Sequence, residues 1–294
     1  MKILLTGKNG QVGFELRRSL FVLGEVKAVD VAECDLSNAS AIRQLVTDYR
    51  PNVIVNPAAY TAVDKAEADQ TLATAVNVAA PKVFAEEAQR LGALLVHFST
   101  DYVFDGTKVG AYTEEDTPNP QSVYGSTKLA GERVVQEGCG RHLILRTSWV
   151  VGAHGANFAK TMLRLATEKD SLNVVADQYG APTSAAMLAD LTAHCVRQAS
   201  VSKDAFPYGL YHAVASGVTN WHEYACYVIE RARAAGKPIR IAPDAVRAIS
   251  TAEYPTPAKR PANSRLETSK LRTTFGLRLP TWQEGVDHVL DQIF

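Results

Sequence analysis

The first residues of the chain restrict its fold more than any other stretch. Residues 2–6 form a short apolar run typical of a buried parallel strand, residues 7–13 read G-K-N-G-Q-V-G, and residues 14–20 have the apolar spacing of a helix. A strand, a glycine turn and a helix in this order place backbone N–H groups at a helix N-terminus, where they can hold a pyrophosphate. An ordinary tight turn between a strand and a helix has the same pattern, so both interpretations stay open.

The next predicted strand, residues 25–29, ends at Asp30. A carboxylate at this strand end can accept hydrogen bonds from the ribose of an adenosine and would repel a 2′-phosphate, which favours NADH over NADPH. Lys8 is close enough in the chain to weaken that preference. Asp35 and Ser37 follow, and either can cap a helix, although Asp35 can instead contact an adenine.

Strands and helices alternate through the first half of the chain. Two further apolar runs, residues 52–56 and 93–98, each precede a helical stretch, and residues 143–150 read as another strand. This alternation predicts an α/β fold with a doubly wound, Rossmann-type parallel sheet that binds a dinucleotide over residues 1–150. Beyond it the alternation becomes irregular, so residues 151–294 are expected to form a smaller substrate-binding lobe that interleaves with the first half.

Composition excludes several classes of protein. The 294 residues are 46% hydrophobic, enough for a large core, and 31 basic residues balance 31 acidic ones, so no net charge attracts nucleic acid or an anionic membrane. Neither a signal peptide nor a long transmembrane stretch is evident. The 4 cysteines lie far apart without metal-binding spacing, which favours free thiols in a cytoplasmic protein.

Tyr124 and Lys128 carry the strongest chemical signal, because residues four apart share one face of a helix. A phenol has a pKa of ~10, and a neighbouring ammonium lowers that pKa by favouring the phenolate. Tyr124 is then able to give a proton to a carbonyl oxygen while a hydride reaches the carbon. Thr100, just after the predicted strand 93–98, is placed to hydrogen-bond the same oxygen. A strand-end hydroxyl also often satisfies local backbone groups, and Tyr–Lys pairs at this spacing occur by chance.

Taken together, the motifs resemble the extended short-chain dehydrogenase/reductase family. The resemblance implies that a hydride passes from NADPH or NADH to the C4 keto carbon of dTDP-4-dehydro-6-deoxy-L-mannose, giving dTDP-L-rhamnose. The strings that carry it are T-G-x-x-G-x-x-G at residues 6–13, S-T at 99–100, Y-x-x-x-K at 124–128, and longer matches at 7–13, 59–67, 99–106, 177–183 and 260–266.

The resemblance also implies roles for individual residues. Tyr124 would be the proton donor, Lys128 would lower its pKa and bind the nicotinamide ribose, and Thr100 would hydrogen-bond the developing alkoxide. Asp101 and Trp149 would contact the substrate. The residues expected to bind the dinucleotide are Gly7, Gly10, Gln11, Val12, Gly13, Asp30, Asp35, Leu36, Ala58, Ala59, Tyr60, Tyr124 and Lys128.

Two further expectations concern an arginine and a metal ion. Arg260 lies in an extended, proline-bearing loop, where its guanidinium suits the diphosphate of a nucleotide sugar. Some members of the family that the chain resembles carry Mg²⁺ at a dimer contact. This resemblance implies a homodimer, in which Glu15 would be a ligand of the metal ion. An acidic side chain in solvent explains Glu15 better, and the metal ligands stay unknown.

Two other functions are compatible with the same motifs. A sugar-nucleotide epimerase or dehydratase of the same family needs further acid or base groups beside Thr100, commonly an Asp-Glu pair, whereas Asp101 is followed here by Tyr102. A non-catalytic regulatory subunit of the methionine adenosyltransferase type would bind without chemistry. The intact Tyr124, Lys128 and Thr100 argue against that second alternative.

Overall fold

The alternation of strands and helices is present in the structure, a computed structural model that describes residues 1–202 and 205–294. A π-helix, Ala75–Ala79, lies between two of the helices, and a 3₁₀ helix, Asp101–Val103, follows the fourth strand. The strands are β1 (Lys2–Leu5), β2 (Glu25–Ala28), β3 (Val53–Asn56), β4 (Leu94–Thr100), β5 (His142–Thr147), β6 (Val150–Val151), β7 (Leu172–Val175), β8 (Tyr179–Gly180), β9 (Thr183–Ser184), β10 (Gly209–His212), β11 (Thr219–Asn220) and β12 (Val246–Ile249). The helices are α1 (Gln11–Leu20), α2 (Ala39–Tyr49), α3 (Val63–Ala66), α4 (Gln70–Thr74), α5 (Ala80–Leu91), α6 (Val123–Gly138), α7 (Phe158–Glu168), α8 (Ala185–Val201), α9 (Trp221–Ala234), α10 (Ser269–Phe275) and α11 (Trp282–Ile293).

A 6-stranded parallel sheet with the order β10-β5-β4-β3-β1-β2 forms the centre of the molecule. The order reverses at β1, because the chain continues from β1 to β2 on one side and then to β3 on the other. At such a point a crevice opens beyond the carboxyl ends of the strands. The predicted doubly wound, Rossmann-type sheet is confirmed, and the glycine turn after β1 lies at its crevice.

Helices cover both faces of the sheet, which explains why the central strands are apolar at successive positions. In β1, Ile3 and Leu5 belong to the apolar cluster that includes α1 and α8. Leu4, which points to the opposite face, packs in the cluster with α2 and α5. Val55 and Ile54 of β3 divide between the two faces in the same way.

The second half of the chain contributes to the sheet as well as to a layer of its own. Its helix α8 packs against α1, and its strand β10 pairs in parallel with β5 at the sheet edge. The helices α7, α9 and α11 surround a separate apolar cluster that contains Tyr224 and Trp282. The two halves therefore interleave, and the assignment of dinucleotide binding to residues 1–150 and of substrate binding to residues 151–294 stays a prediction.

The strand predicted for residues 143–150 is shorter than expected. It ends at Thr147, because Trp149 has a φ of 48°, a left-handed conformation that side chains rarely adopt and that interrupts a strand. Pairing resumes only in the short strand β6, which adds to β9 rather than to the large sheet.

The helices and the cysteines bear on two of the sequence-based expectations. Among the helices of residues 1–202 and 205–294, none has the length and apolar character needed to cross a bilayer. Cys34, Cys139, Cys195 and Cys226 are free cysteines.

The buried and exposed valines provide a test of the sheet packing. Val55→Ala removes two methyl groups from a fully buried position, and we expect a loss of about 2 kcal/mol in the free energy of unfolding. The same substitution at Val22, which is 86% exposed, should change that free energy by less than about 0.5 kcal/mol. Urea unfolding measures both, and equal losses would contradict the assigned core.

Candidate active site

The glycine turn lets α1 start directly against the end of β1. Gly7 has a φ of 60°, and a Cβ at Gly13 would lie only 1.9 Å from the carbonyl oxygen of Gly7. The N-cap of α1 is Gly10, which has no side chain that could occupy the N–H groups of the first turn. The N–H groups of the first turn and the positive end of the helix dipole are therefore available to an anion.

Two adjoining cavities follow the carboxyl edge of the sheet, with volumes of about 350 Å³ and about 150 Å³. Every residue expected to bind the dinucleotide lines at least one cavity except Tyr60, whose N–H bonds Asn77 Oδ1 at 2.8 Å and whose hydroxyl bonds Asp69 at 3.3 Å. The larger cavity is lined by Gly7, Gly10, Gln11, Val12, Gly13, Asp30, Ala58, Ala59, Tyr124 and Lys128 among others, and the smaller by Gly7, Asp30, Asp35, Leu36, Ala58 and Ala59 among others.

Asp30 lines both cavities, and the charged side chains of Glu33 and Lys8 lie next to it. The carboxylate of Asp30 accepts the backbone N–H of Asn9 at 2.9 Å and of Val31 at 2.8 Å, which fixes its position. Lys8 Nζ bonds Glu33 Oε1 at 2.6 Å. Because Lys8 neutralises Glu33, the three charged side chains together carry one net negative charge.

Asp35 does not have the capping role that its position allowed. Asn38 caps α2 instead, since its Oδ1 accepts the N–H of Ala41 at 3.1 Å. Asp35 accepts the backbone N–H of Ser37 at 2.8 Å. This bond and a second one from the Ser37 side chain lower the pKa of the Asp35 carboxyl group. The Asp35 side chain is therefore held at the smaller cavity.

Helix α6 brings the predicted Tyr–Lys pair to the larger cavity. Ser122 caps this helix, because its hydroxyl oxygen accepts the backbone N–H of Gly125 at 3.1 Å. Lys128 is only 2% exposed, and its Nζ donates to the carbonyl oxygen of Phe98 at 2.6 Å. The hydroxyl of Tyr124 shares a hydrogen bond with the buried Thr100 side chain. The fold thus brings together the three residues expected to be catalytic, although Thr100 and Tyr124 are distant in the chain.

The pKa of Tyr124 differs from the sequence-based expectation. Burial raises it, and the hydrogen bond with Thr100 only partly opposes that rise, so the net lowering predicted from the sequence is not found. The Lys128 ammonium bonds a backbone carbonyl, and its attraction for a phenolate does not outweigh the effect of burial. Burial lowers the pKa of Lys128 to about 8, against the opposing effect of Glu132. Near pH 7, Tyr124 is therefore a neutral phenol and Lys128 mostly an ammonium, which suits proton donation.

Asp101 follows Thr100 and is 2% exposed. It accepts a hydrogen bond from Thr100 Oγ1 at 3.0 Å and another from Ser264, which belongs to the loop that contains Arg260. Burial raises the pKa of Asp101 to about 6, although both hydrogen bonds act in the opposite direction. A carboxyl group that changes charge near neutral pH thus touches the Tyr124–Thr100 pair.

Arg260 reaches the same region from the other end of the chain. Its Nη2 bonds Asp64 Oδ2 at 2.8 Å, and its guanidinium also bonds the side chain of Tyr102. The Tyr102 ring meets the Tyr124 ring edge-on, with centroids 5.5 Å apart. One side chain therefore separates Arg260 from the predicted proton donor.

Trp149 does not line the larger cavity, although its chain neighbours Thr147 and Val150 do. Its indole stacks on Trp221 with ring centroids 3.7 Å apart, and a Cβ at Gly180 would lie 2.8 Å from it. The ring thus packs against the second half of the chain. Its expected contact with a substrate stays a prediction.

Sequence reasoning missed Thr147, which pairs in register with Thr100 at the end of β5. The Thr147 hydroxyl is buried and has no hydrogen-bond partner within the described part of the chain. The carboxyl ends of parallel strands border the ligand crevice, but the sequence-based prediction put the end of this strand at residue 150 rather than at Thr147. The other lining residues that were missed are Thr6, Val29, Val31, Cys34, Pro57, Thr61, Val76, Phe98, Ser99 and Val150.

The proposed metal role of Glu15 gains no support from the surrounding side chains. Glu15 accepts a hydrogen bond from Arg18 Nε at 3.4 Å. Within residues 1–202 and 205–294, no group of three or more His, Cys, Asp or Glu side chains is able to hold a metal ion. Mg²⁺ at a contact between two copies of the chain stays a prediction.

The switch-point glycine turn, the Tyr-x-x-x-Lys helix and the strand-end threonine define the class of short-chain dehydrogenases/reductases. Within that class, the family described as the RmlD substrate binding domain matches residues 1–294, and the chain belongs to this family.

The chain is similar over its full length to proteins named as dTDP-4-dehydrorhamnose reductases. It is 50% identical to a dTDP-4-dehydrorhamnose reductase from Shigella flexneri, covering 100% of this chain and 98% of that protein. It is 51% identical to the reductase of the same name from Salmonella typhimurium, with the same coverage. Among solved structures, a dTDP-4-dehydrorhamnose reductase from Clostridium acetobutylicum is 39% identical with a TM-score of 0.88, and one from Bacillus anthracis, in complex with NADP, is 35% identical with a TM-score of 0.89; each match covers 99% of both chains.

The raised pKa of Asp101 predicts a pH-dependent effect on stability. A carboxyl group with a folded-state pKa of about 6 binds protons more readily in the folded than in the unfolded chain, so its charge destabilises the fold above that pH and the cost disappears as pH falls. We therefore expect Asp101→Asn to raise the free energy of unfolding by about 1–3 kcal/mol at pH 8, and by little at pH 4.

Urea unfolding at the two pH values measures this difference. Asp105→Asn is the matched control, because hydrogen bonds from Thr107 and Asn119 hold the pKa of Asp105 below its usual range. That variant should lose stability at pH 8. If both variants changed the free energy of unfolding at pH 8 in the same direction, the raised pKa of Asp101 would be contradicted.

Proposed function

We propose that the chain reduces the C4 keto group of dTDP-4-dehydro-6-deoxy-L-mannose to dTDP-L-rhamnose, with NADPH or NADH as the reductant. The hydrogen bond between the Tyr124 and Thr100 hydroxyls, at a cleft that also contains Lys128 and the glycine turn, carries this proposal. The relatives from S. flexneri and S. typhimurium bear the name of this activity, and the B. anthracis structure contains NADP.

The chemistry of the cleft fits a nicotinamide dinucleotide. The first turn of α1 offers N–H groups to a pyrophosphate, and Asp30 suits an adenosine ribose. At the other end, Lys128 would hold the nicotinamide ribose, and the unpartnered Thr147 hydroxyl is available to a polar group of the ligand. When bound, the reduced nicotinamide supplies the hydride for the C4 carbon.

The residues at the end of β4 and on α6 supply the proton and the electrostatic stabilisation. Tyr124 gives its proton to the C4 oxygen. The Thr100 hydroxyl, which donates to Asp101 in the structure, turns its hydrogen to that oxygen as negative charge develops on it. Hydrogen-bond donors in comparable positions contribute roughly 2.7–4 kcal/mol to transition-state stabilisation. The positive charge of Lys128 then stabilises the phenolate that Tyr124 becomes.

Asp101, Arg260 and Trp149 form the proposed substrate contacts. The guanidinium of Arg260 suits the diphosphate, but it is bonded to Asp64, so a bound diphosphate has to share or replace that ion pair. Asp101 is hydrogen-bonded to the Thr100 hydroxyl and is suited to hydrogen-bond a sugar hydroxyl. A homodimer, with or without Mg²⁺ at its contact, is part of the same proposal and is testable by light scattering.

The decisive experiment supplies the purified protein with dTDP-4-dehydro-6-deoxy-L-mannose and either NADH or NADPH. Loss of reduced-cofactor absorbance, with one dTDP-L-rhamnose formed per cofactor oxidised, supports the reductase. An epimerase or dehydratase would change the sugar without net oxidation of the cofactor, and a regulatory subunit would change neither. Absence of oxidation with both cofactors would remove the proposal.

Tyr124→Phe separates chemistry from binding. Loss of the phenolic proton should lower kcat by at least about a hundredfold, while the dissociation constant for the reduced dinucleotide changes little. Tyr102→Phe is the matched control, because the Tyr102 hydroxyl bonds Arg260 and should affect KM for the sugar nucleotide more than kcat. Steady-state kinetics and fluorescence titration measure both, and a Tyr124→Phe enzyme with most of its rate would mean that another group donates the proton.

Lys8 provides a test of the choice between NADPH and NADH. Lys8→Ala leaves Asp30 and Glu33 without a compensating cation, so a 2′-phosphate meets more negative charge. We expect the KM ratio of NADPH to NADH to rise by about tenfold. Lys82→Ala, on the exposed surface of α5, should leave the ratio unchanged. An equal change in both KM values would show that Lys8 does not act on the 2′-phosphate.

A further inference from the structure

An ion pair lies in the protein interior next to the proposed catalytic residues. Glu132 is 1% exposed and Arg146 is 3% exposed. Arg146 binds the Glu132 carboxylate through two hydrogen bonds, from Nε to Oε1 at 2.8 Å and from Nη2 to Oε2 at 2.6 Å. The Ser99 hydroxyl donates to the same Oε1 at 2.5 Å. We call these three residues the Ser99–Glu132–Arg146 cluster.

The Ser99–Glu132–Arg146 cluster connects the three elements at the site. Glu132 lies on α6 one turn after Lys128, Arg146 lies on β5, and Ser99 lies on β4 immediately before Thr100. Ser99 and Arg146 are also paired in register in the sheet. The cluster therefore joins the strand that carries Thr100 to the helix that carries the other two proposed catalytic groups.

Stability alone does not explain a buried ion pair at this place. Removing two charges from water is costly, and a pair of apolar side chains of similar volume is often as stable or more stable. We infer that the Ser99–Glu132–Arg146 cluster is a positioning device, in which Glu132 keeps the neighbouring Lys128 charged and holds α6 in register with the end of β4. This inference rests on the proposed reductase function of Tyr124, Thr100 and Lys128.

The charges around Lys128 support the role of Glu132. Glu132 favours the ammonium form of Lys128, against the effect of burial. His97 on β4 is also buried, and both burial and the charge of Lys128 lower its pKa, so it is neutral and adds no further cation. Arg146 on β5 is a second cation. The π-helix packed on α6 has the sequence AVNVA and therefore contributes no charged side chain.

Without the Glu132 carboxylate, Lys128 and Arg146 would both stay buried without the negative charge that favours their cationic forms. Tyr124 has a pKa raised by burial and stays neutral, and Asp101, although charged above its pKa of about 6, does not contribute to the pKa of Lys128. Glu132 is thus the carboxylate on which the charge of Lys128 depends. Its loss should favour the neutral amine, which cannot stabilise a phenolate.

Two variants separate this role from a structural one. Glu132→Gln leaves Arg146 unpaired and is expected to be less stable. The double variant Glu132→Leu with Arg146→Met removes both charges and should unfold in urea close to the wild type. Its Lys128 should nevertheless titrate about one pH unit lower than in the wild type, since the favourable charge is missing. NMR of protein with ¹³C-labelled lysine follows this titration at the Cε atom.

Kinetics of the double variant test the consequence for catalysis. The alkaline limb of the pH profile of kcat should move to lower pH by about one unit, with a smaller effect on KM for the sugar nucleotide. Glu87→Gln is the control, because Glu87 is also buried and ion-paired, to Arg43 and Arg90, but lies between α2 and α5. It should lose stability without a change in either pH dependence.

The two proposals fail in different ways. A wild-type protein that oxidises neither cofactor would remove the reductase function, whereas the Lys128 titration would still report on the cluster. A double variant whose Lys128 titrates as in the wild type, with an unchanged kcat profile, would overturn the positioning role and leave the Ser99–Glu132–Arg146 cluster as a purely structural ion pair.

Discussion

The buried ammonium of Lys128 is the interaction on which the geometry of the site depends. A cation removed from water needs nearby partners, and Lys128 finds one in the carbonyl oxygen of Phe98, 2.6 Å away. This bond joins α6 to β4, and the Glu132 carboxylate makes a second link between the same two elements through Ser99. Because Tyr124 lies on that helix and Thr100 on that strand, any sliding of one element would break both links. The distance between the two hydroxyls is thereby constrained from the protein interior.

Around these links, several features of the cleft are unfavourable to stability. Burial disfavours the charged forms of Asp101 and Lys128, the Thr147 hydroxyl is buried without a partner among the residues described, and Trp149 has a left-handed backbone. The apolar clusters on both faces of the sheet compensate for such local costs. Such costs are typical of functional sites, where burial shifts the pKa values of side chains away from those they have in water.

Much of the fold and of the site was predictable from the sequence, because the features concerned depend on residues that are close together in the chain. The strands were evident because burial on both faces makes them continuous apolar runs, and the glycine turn because Gly13 cannot carry a Cβ next to Gly7. The Tyr124–Lys128 pair follows from helix periodicity. Thr147 was missed because the sequence does not reveal which strand lies beside β4. The end of β5 was placed too late because nothing in the local sequence signals the unusual φ of Trp149.

The sequence by itself determined the order of strands and helices, the glycine turn after the first strand and the identity of the proposed catalytic groups, since these depend on spacing along the chain. Only the tertiary structure decided how those groups ionise. The pKa of Tyr124 rises rather than falls, because burial outweighs a lysine whose ammonium is engaged elsewhere. The pairing of Glu132 with Arg146, and the approach of Arg260 to Tyr102, join residues from separate elements. Burial and long-range contacts are properties of the packed molecule, and no local pattern encodes them.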